Sequence, residues 1–449
     1  MAGADIRRFA QDRRSLTTTF VFGVIGGALV SLADALLFPS LILAVFVAQL
    51  TDDPVTIGLV PAIGTGLWLV AQVIASGLTR GSRRQIPWLT GAAIVRAAAI
   101  ALLAYIGFRE NMSDSERLRS FFICYGAYAA ASGFAAAPSI AVVRRAIPPD
   151  RRSGFLRARY LWGAVIAIVA GLVAHRVLGP EGSDFPRNFT FLFVVAAVAL
   201  SGAVYFLAWG REPARVARTG PVMPGASARQ ALGSLLDPNY RRFLLFRVIL
   251  SLAAVADPFY ILYAFRELAT PIWYVGPYLT ALVAARLLTA PLWSALARRA
   301  GHRTVLQGAA LLRLLAPLVA LLLPYLAETD LYRDRFDDVR PLSIAFGAIF
   351  VVYGATLAAQ SLSNLGYLLA IAPDDRRIPY IRLTNVILAV TALAPIAGGR
   401  IIERYGFDRV FLAAAVVSLV AILVSGVLTE THTRTRAVAQ AWRLRGARS

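Results

Sequence analysis

The sequence predicts an all-α membrane protein of twelve transmembrane helices, arranged as two pseudo-symmetric six-helix bundles. Three observations predict it. Of the 449 residues, 58% are hydrophobic and only 16% charged, and the mean hydropathy of +0.64 is far above that of an ordinary soluble domain. Apolar windows, each near or above the about 20 residues that cross a bilayer, alternate with polar or arginine-bearing breaks. The second set of windows also repeats the first in order and, at three places, in residue pattern.

The windows run over 18–50, 55–78, 87–107, 119–143, 157–178, 188–209, 242–265, 271–297, 303–326, 341–371, 379–402 and 409–429, numbered here as spans 1 to 12. The start, "MAGADIRRFAQDRRSL", is basic, but the apolar run behind it is long and lacks a small-residue cleavage site, so it reads as a retained first span. Between spans 6 and 7, "REPARVARTGPVMPGASARQ" is rich in Arg, Pro, Gly and Ala and has no apolar run, which marks a linker. The expected organisation is an N-terminal bundle (1–210), a cytoplasmic linker (211–240), a C-terminal bundle (241–430) and a basic cytoplasmic tail (431–449).

All 46 basic residues are arginine. Without lysine there is neither a GxxxxGK[ST] phosphate loop nor a Schiff base, so ATP hydrolysis at such a loop and pyridoxal chemistry are excluded. Cys124 is the lone cysteine, and His175, His302 and His432 fall at span ends, in a loop or in the tail. No metal, haem or other cofactor is expected, and no enzyme activity. The net charge of +21 would suggest nucleic acid in a soluble protein, but its distribution argues otherwise. The side holding both termini carries 30 Arg against 8 acids, the opposite side 12 against 15, and 4 Arg and 2 Asp lie inside spans. Arginine excess marks the cytoplasm and contacts to lipid headgroups, so both termini are expected there, in the inner (plasma) membrane.

The duplication is visible in three matches. "SGLTRGSRRQ" (76–85) after span 2 matches "SALARRAGHR" (294–303) after span 8. "AAIVRAAA" (92–99) matches "AALLRLLA" (309–316), setting Arg96 against Arg313. "IPPDRRSGFLRAR" (147–159) resembles "IAPDDRRIPYIRLT" (371–384). Two like-oriented six-span halves suit one task, in which a substrate binds near the midplane and the halves rock about it.

With these residues in view, the chain resembles the major facilitator superfamily from span 1 to span 12. It is especially similar to a bacterial branch in "LTDDPVTIGLVPAIGTGLWLVAQ" (50–72), "DPNYRRFLLFRVILSLAAVADPFYILYA" (237–264) and "PYIRLTNVILAVTALAPIAGG" (379–399). The resemblance implies a monomeric secondary transporter of a small molecule, working by alternating access. It also implies that spans 1 and 7 line the central cavity while spans 3 and 9 are mostly peripheral. The family's inner-gate motif, GxLaDRxGRR, is matched in part by Leu78, Arg83 and Arg84 and by Leu296, Arg299, Gly301 and Arg303. Arg80 and Arg298 stand at its aspartate position, so the expected cytoplasmic gate is Arg80, Arg83, Arg84, Arg298, Arg299 and Arg303, with lipid phosphates or nearby helix C-termini as the alternative partners. The exporter signature GPxxGG is missing from span 5; a PxxGG at Pro395, Gly398 and Gly399 in span 11 reads as a bend with close packing.

A charge at mid-bilayer costs about 2.5 to 3.5 kcal/mol on insertion scales, so each one needs a partner, water or a way out. Arg247 sits near the end of span 7 and can reach the surface. Arg96 and Arg313, deep and repeated, suggest a shared structural role such as bonding carbonyls of a neighbouring helix. Arg286, deep in span 8 and matched by Trp68, cannot lose its proton and must face an anion, either a buried aspartate or the substrate. Asp34 in span 1 and Asp257 in span 7 are the intramembrane acids; the offset sets Asp257 against Phe38, one turn from Asp34. Asp34, Asp257 and Arg286 are therefore the candidates for proton coupling and substrate contact, with the alternative that the acids only hold Arg286 or a polar neighbour. Tyr125, Tyr128, Tyr260, Tyr263, Tyr353, Gln360, Asn364 and Asn385 complete the candidate cavity. The excess of arginine favours an anionic or zwitterionic substrate; a proton-driven exporter of amphipathic compounds and a non-transporting scaffold or sensor are the competing functions.

Overall fold

A proline interrupts the first helix of each half, and an aspartate sits beside each interruption. In the computed structural model, which describes residues 2–79, 81–208, 228–327, 340–373 and 376–429 (side chains from Thr17 onward), Ala2–Leu36 is one helix. Pro39 cannot donate to it, and Phe38 before it takes an extended conformation, so the chain restarts as a π-helical turn at Pro39–Leu43 and continues over Ala44–Ala48. Asp34 lies in the last turn before this break. Span 7 is likewise helical over Pro238–Leu252, tightens to a 3-10 turn at Ala253–Ala256, and resumes at Phe259–Arg266, with Asp257 and Pro258 in the gap.

No strand occurs among the described residues, and eleven continuous helical stretches are long and apolar enough to cross a membrane. One of them, Ile272–Tyr325, has 54 residues, or about 80 Å at 1.5 Å per residue, twice what a bilayer needs. Its backbone turns at Gly301 (φ 87°, ψ 167°), where two helices meet, so it supplies spans 8 and 9. Twelve crossings result, making this a multi-pass membrane protein. Several helices outrun their apolar windows: the span 5 helix is Pro149–Val177 and the span 4 helix Asp114–Ala146. Hydropathy ends where arginines begin, but a helix does not, because long charged side chains reach water from within the last turns.

The chain forms two compact units, Met1–Gly225 with Ile261–Thr280, and Ala226–Tyr260 with Ala281–Ser449. In the first, span 1 packs on spans 5 and 6, span 2 on span 4, and span 3 on spans 4 and 6. Small residues permit the closest approaches: a Cβ on Gly133 of span 4 would lie 2.1 Å from the Trp68 carbonyl oxygen in span 2. Phe46 gathers Phe121, Phe185, Phe189 and Phe193 around it within 6 Å between ring centroids. The segment Ile261–Thr280 is held in this unit by Arg266, which bonds Asp52 at 2.8 Å, and by Gly276, whose Cβ position would lie 2.5 Å from the Gly171 carbonyl oxygen.

In the second unit, span 7 packs against spans 10, 11 and 12. Its core is aromatic, with Tyr240, Phe243, Phe246, Tyr367 and Tyr380 buried together. Gly354 of span 10 repeats the Gly133 contact, since its Cβ would lie 2.1 Å from the Leu282 carbonyl oxygen in span 8. Large apolar side chains such as Ile123, Leu172, Leu288 and Leu292 are left exposed, as expected of surfaces facing lipid tails.

Candidate functional site

Each unit contains one triad of aspartate, arginine and tyrosine. In the first, Arg96 Nη2 donates to Asp34 Oδ1 at 2.8 Å, the Tyr128 hydroxyl donates to the same oxygen, and Arg96 Nη2 reaches the Tyr128 hydroxyl oxygen at 3.4 Å. The guanidinium carbon also stands 5.2 Å from the Tyr128 ring centroid, a cation–π contact. In the second, Arg313 Nη2 donates to Asp257 Oδ1, the Tyr353 hydroxyl donates to Oδ2 at 2.9 Å, and Arg313 stands 5.5 Å from the Tyr353 centroid. The contributing spans correspond: 1, 3 and 4 in one unit, 7, 9 and 10 in the other.

This revises two expectations. Arg96 and Arg313 do have a shared role, but their partners are the aspartates and not helix carbonyls. The acids are likewise matched to each other by contact, whereas the offset had set Asp257 against Phe38. Arg286 is half-buried in the second unit.

The triads differ in access. Asp34 has 52% of its side chain exposed, whereas Asp257 has 8% and Arg313 7%. The first carboxylate is half exposed while held by Arg96; the second is enclosed by protein.

The remaining candidates fall into distinct settings. Tyr125 is buried, stacks on Phe121 and Tyr128, and points its hydroxyl at Gly64, where a Cβ would lie 2.0 Å away. Tyr260 is buried and stacks on Phe411 at 5.2 Å. Tyr263 is buried in the first unit. Gln360, Asn364 and Asn385 are half-buried in the second, and Asn364 Oδ1 has no hydrogen bond.

Of the gate arginines, Arg80 lies outside the described residues. Arg83 and Arg84 are exposed, and the Arg83 carbonyl accepts from Arg145 at 3.0 Å. Arg298 bonds Ser294 at 2.8 Å, Arg299 is exposed, and Arg303 donates to the Gly426 carbonyl at the end of span 12 at 3.0 Å. Arg303 thus meets a helix C-terminus, where a cation is favourable.

No protein-family model and no curated protein matches the sequence. Solved structures do match. A mutant form of the nucleoside transporter NupG aligns with a TM-score of 0.71 at 14% identity, covering 92% of this chain and 100% of that one. A further NupG structure aligns with a TM-score of 0.65 at 12% identity, and a D-xylose-proton symporter at 0.65 and 13%, each covering 92% of this chain and 98% of its own. The fold is the major facilitator fold. At such identities the likeness is one of architecture. Within the major facilitator fold of this chain, the paired acids occupy the broken first helix of each repeat.

A further cation stands near the first triad. Arg159 lies within the Pro149–Val177 helix and lines one cavity with Arg96. It falls at the start of the span 5 window, where an arginine reads as a topology signal, and so it was not among the candidates.

Proposed function

We propose that the protein is a secondary active transporter that carries a small molecule by alternating access, with Asp34 as its proton-coupling group. The observation that carries this reading is the open first triad: a carboxylate near mid-span, half exposed, and held by one arginine and one tyrosine. A proton arriving on Asp34 removes the charge that holds Arg96. Arg96 then retains the Tyr128 hydroxyl and ring as partners, so the exchange has a place to leave the guanidinium. Making and breaking this pair gives the proton a differential interaction with two arrangements of the helices, which coupling requires.

The likeness to solved transporter structures and the repeated six-span plan support the same reading. The bundles are taken as 1–210 and 241–430, joined by the linker 211–240 and followed by the tail 431–449. Both termini are assigned to the cytoplasm, and the protein to the inner membrane, on the strength of the arginine distribution; the monomeric state rests on the family resemblance alone. The gate residues Arg83, Arg84, Arg298, Arg299 and Arg303 serve the cytoplasmic end. A scaffold or sensor would be expected to lock both acids permanently; the exposure of Asp34 speaks against it.

The test is transport in proteoliposomes with an imposed pH gradient, across a metabolite and drug panel. Asp34→Asn is expected to lose gradient-driven accumulation by about tenfold or more while retaining exchange of substrate across a membrane without a gradient. If Asp34→Asn responds to the gradient as the parent does, the coupling assignment is wrong.

A further inference from the structure

Arg159 is the one charge near the first triad that the duplication does not repeat. Aligning "DRRSGFLRAR" (150–159) with "DRRIPYIRLT" (375–384) sets Arg157 against Arg382 and Arg159 against Thr384. The Thr384 hydroxyl is taken up locally, donating to the Tyr380 carbonyl at 2.9 Å and meeting the Tyr240 hydroxyl at 3.0 Å. By this alignment the second half has a neutral residue at the position where the first has a guanidinium.

The fold makes room for that guanidinium. Arg159 crosses span 1 at Gly27, where a Cβ would lie 2.3 Å from Arg159 Nε and 2.6 Å from Cγ. Among the described residues Arg159 makes no hydrogen bond and no ion pair. Asp34, the acid near it, is already bonded by Arg96 and Tyr128. The local sum is two guanidinium groups against one carboxylate. An arginine cannot discharge itself, so this surplus persists at any physiological pH.

Arg159 lines a cavity inside the first unit together with Arg96, Ser132, Phe22 and Phe206. Two polar atoms of those residues, Arg96 Nε and Ser132 Oγ, are buried without a hydrogen-bond partner. Unsatisfied buried donors beside an unpaired cation call for an acceptor that carries negative charge. The rest of the wall is apolar, with Val30, Leu89 and Leu207 among its members. We propose that this cavity binds an amphiphilic anion, its carboxylate or phosphate head on Arg159 and its apolar body along Phe22 and Phe206. The site stands on its own geometry; that its ligand is also the cargo rests on the transport reading above.

The anion could be a soluble amphiphile or the headgroup of an acidic lipid, and the test separates them. The full chain, purified in a neutral maltoside detergent, is titrated at pH 7.5 with octanoate, octan-1-ol and octyltrimethylammonium, with tryptophan fluorescence as the readout. Octanoate is expected to bind about tenfold or more tightly than octan-1-ol, and Arg159→Gln to remove that preference while octan-1-ol binding is unchanged. Gly27→Ala, which pushes Arg159 out of its slot without touching its charge, is expected to reduce the preference, and Arg159→Lys to keep part of it. Equal binding of octanoate and octan-1-ol by the parent, or a full preference in Arg159→Gln, overturns the proposal. Should Arg159→Gln fail to fold, a full octanoate preference in Gly27→Ala overturns it equally. In nanodiscs, loss of octanoate binding with phosphatidylglycerol but not with phosphatidylcholine assigns the anion to lipid and overturns the cargo role. If octanoate binds as expected yet is not carried into proteoliposomes, the transport reading fails for this ligand and the anion site stands.

Discussion

Arg96 Nη2 and Asp34 Oδ1 lie 2.8 Å apart across 62 residues of chain, and Arg313 stands in the same relation to Asp257. The carboxylate of one pair is half exposed and that of the other is buried. Duplicated halves that began alike have kept the geometry and divided the exposure, which is how two copies of one motif can come to hold different roles.

The sealed pair is expected to act on stability. Removing one partner of a buried ion pair leaves an uncompensated charge, so Asp257→Leu or Arg313→Met is expected to cost about 3–5 kcal/mol. Combining Asp257→Leu with Arg313→Met restores neutrality in an apolar setting and is expected to recover most of that loss. Unfolding in mixed micelles measures the cycle; additive losses would contradict the coupling. Tyr353→Phe, which deletes one hydrogen bond, is expected to cost only about 0.5–1.5 kcal/mol.

Helix contacts through glycine carry a second prediction. Gly133→Ala and Gly354→Ala each place a methyl 2.1 Å from a backbone carbonyl oxygen on the facing helix, which has no rotamer to move aside. Each variant is expected to lose about 1–3 kcal/mol through forced separation of spans 2 and 4 or spans 8 and 10. A thermal midpoint equal to the parent's would show that the helices part without cost.

Gly406 isolates backbone strain. Its φ of 81° and ψ of 177° lie where side chains are rarely found, yet no atom stands within 4 Å of its Cβ position. Gly406→Ala is therefore expected to cost about 1–3 kcal/mol by conformation alone, without any clash, and a neutral result in chemical unfolding would refute this.

A pH-dependent contribution is expected at the start of span 2. Asp53 caps that helix, accepting from the Val55 amide at 2.9 Å and the Thr56 amide at 3.0 Å. Burial alone would raise its carboxyl, but the Thr56 hydroxyl and these two amides outweigh burial and hold it below the ordinary range. Because the folded state favours the ionised form, the stabilisation is full above the unfolded value near 3.9 and fades as pH falls through the folded one. Asp53→Ala is expected to cost about 0.5–2 kcal/mol at neutral pH, and the gap to the parent to narrow in acid. A gap unchanged at pH 3 would argue against the capping role.

Much of the architecture was legible in the sequence. Twelve apolar windows, the arginine bias and the three internal matches are local properties, each set by how a stretch of residues partitions between lipid and water, and they need no knowledge of neighbours. The break between spans 8 and 9 shows the same logic, since the polar stretch between the windows 271–297 and 303–326 is where the backbone turns, at Gly301. Asp34 and Asp257 were legible as groups in need of partners. Which arginine answers each was a choice among several, and only the tertiary structure made it, because pairing depends on the rotation of each helix about its axis. The same holds for Arg159, an ordinary arginine at the edge of the span 5 window until the tertiary structure set it against Gly27 of span 1, which gives it room. Exposure was decided there too: hydropathy assigns Asp34 and Asp257 the same cost, whereas packing around the second left 8% of its side chain open and around the first 52%.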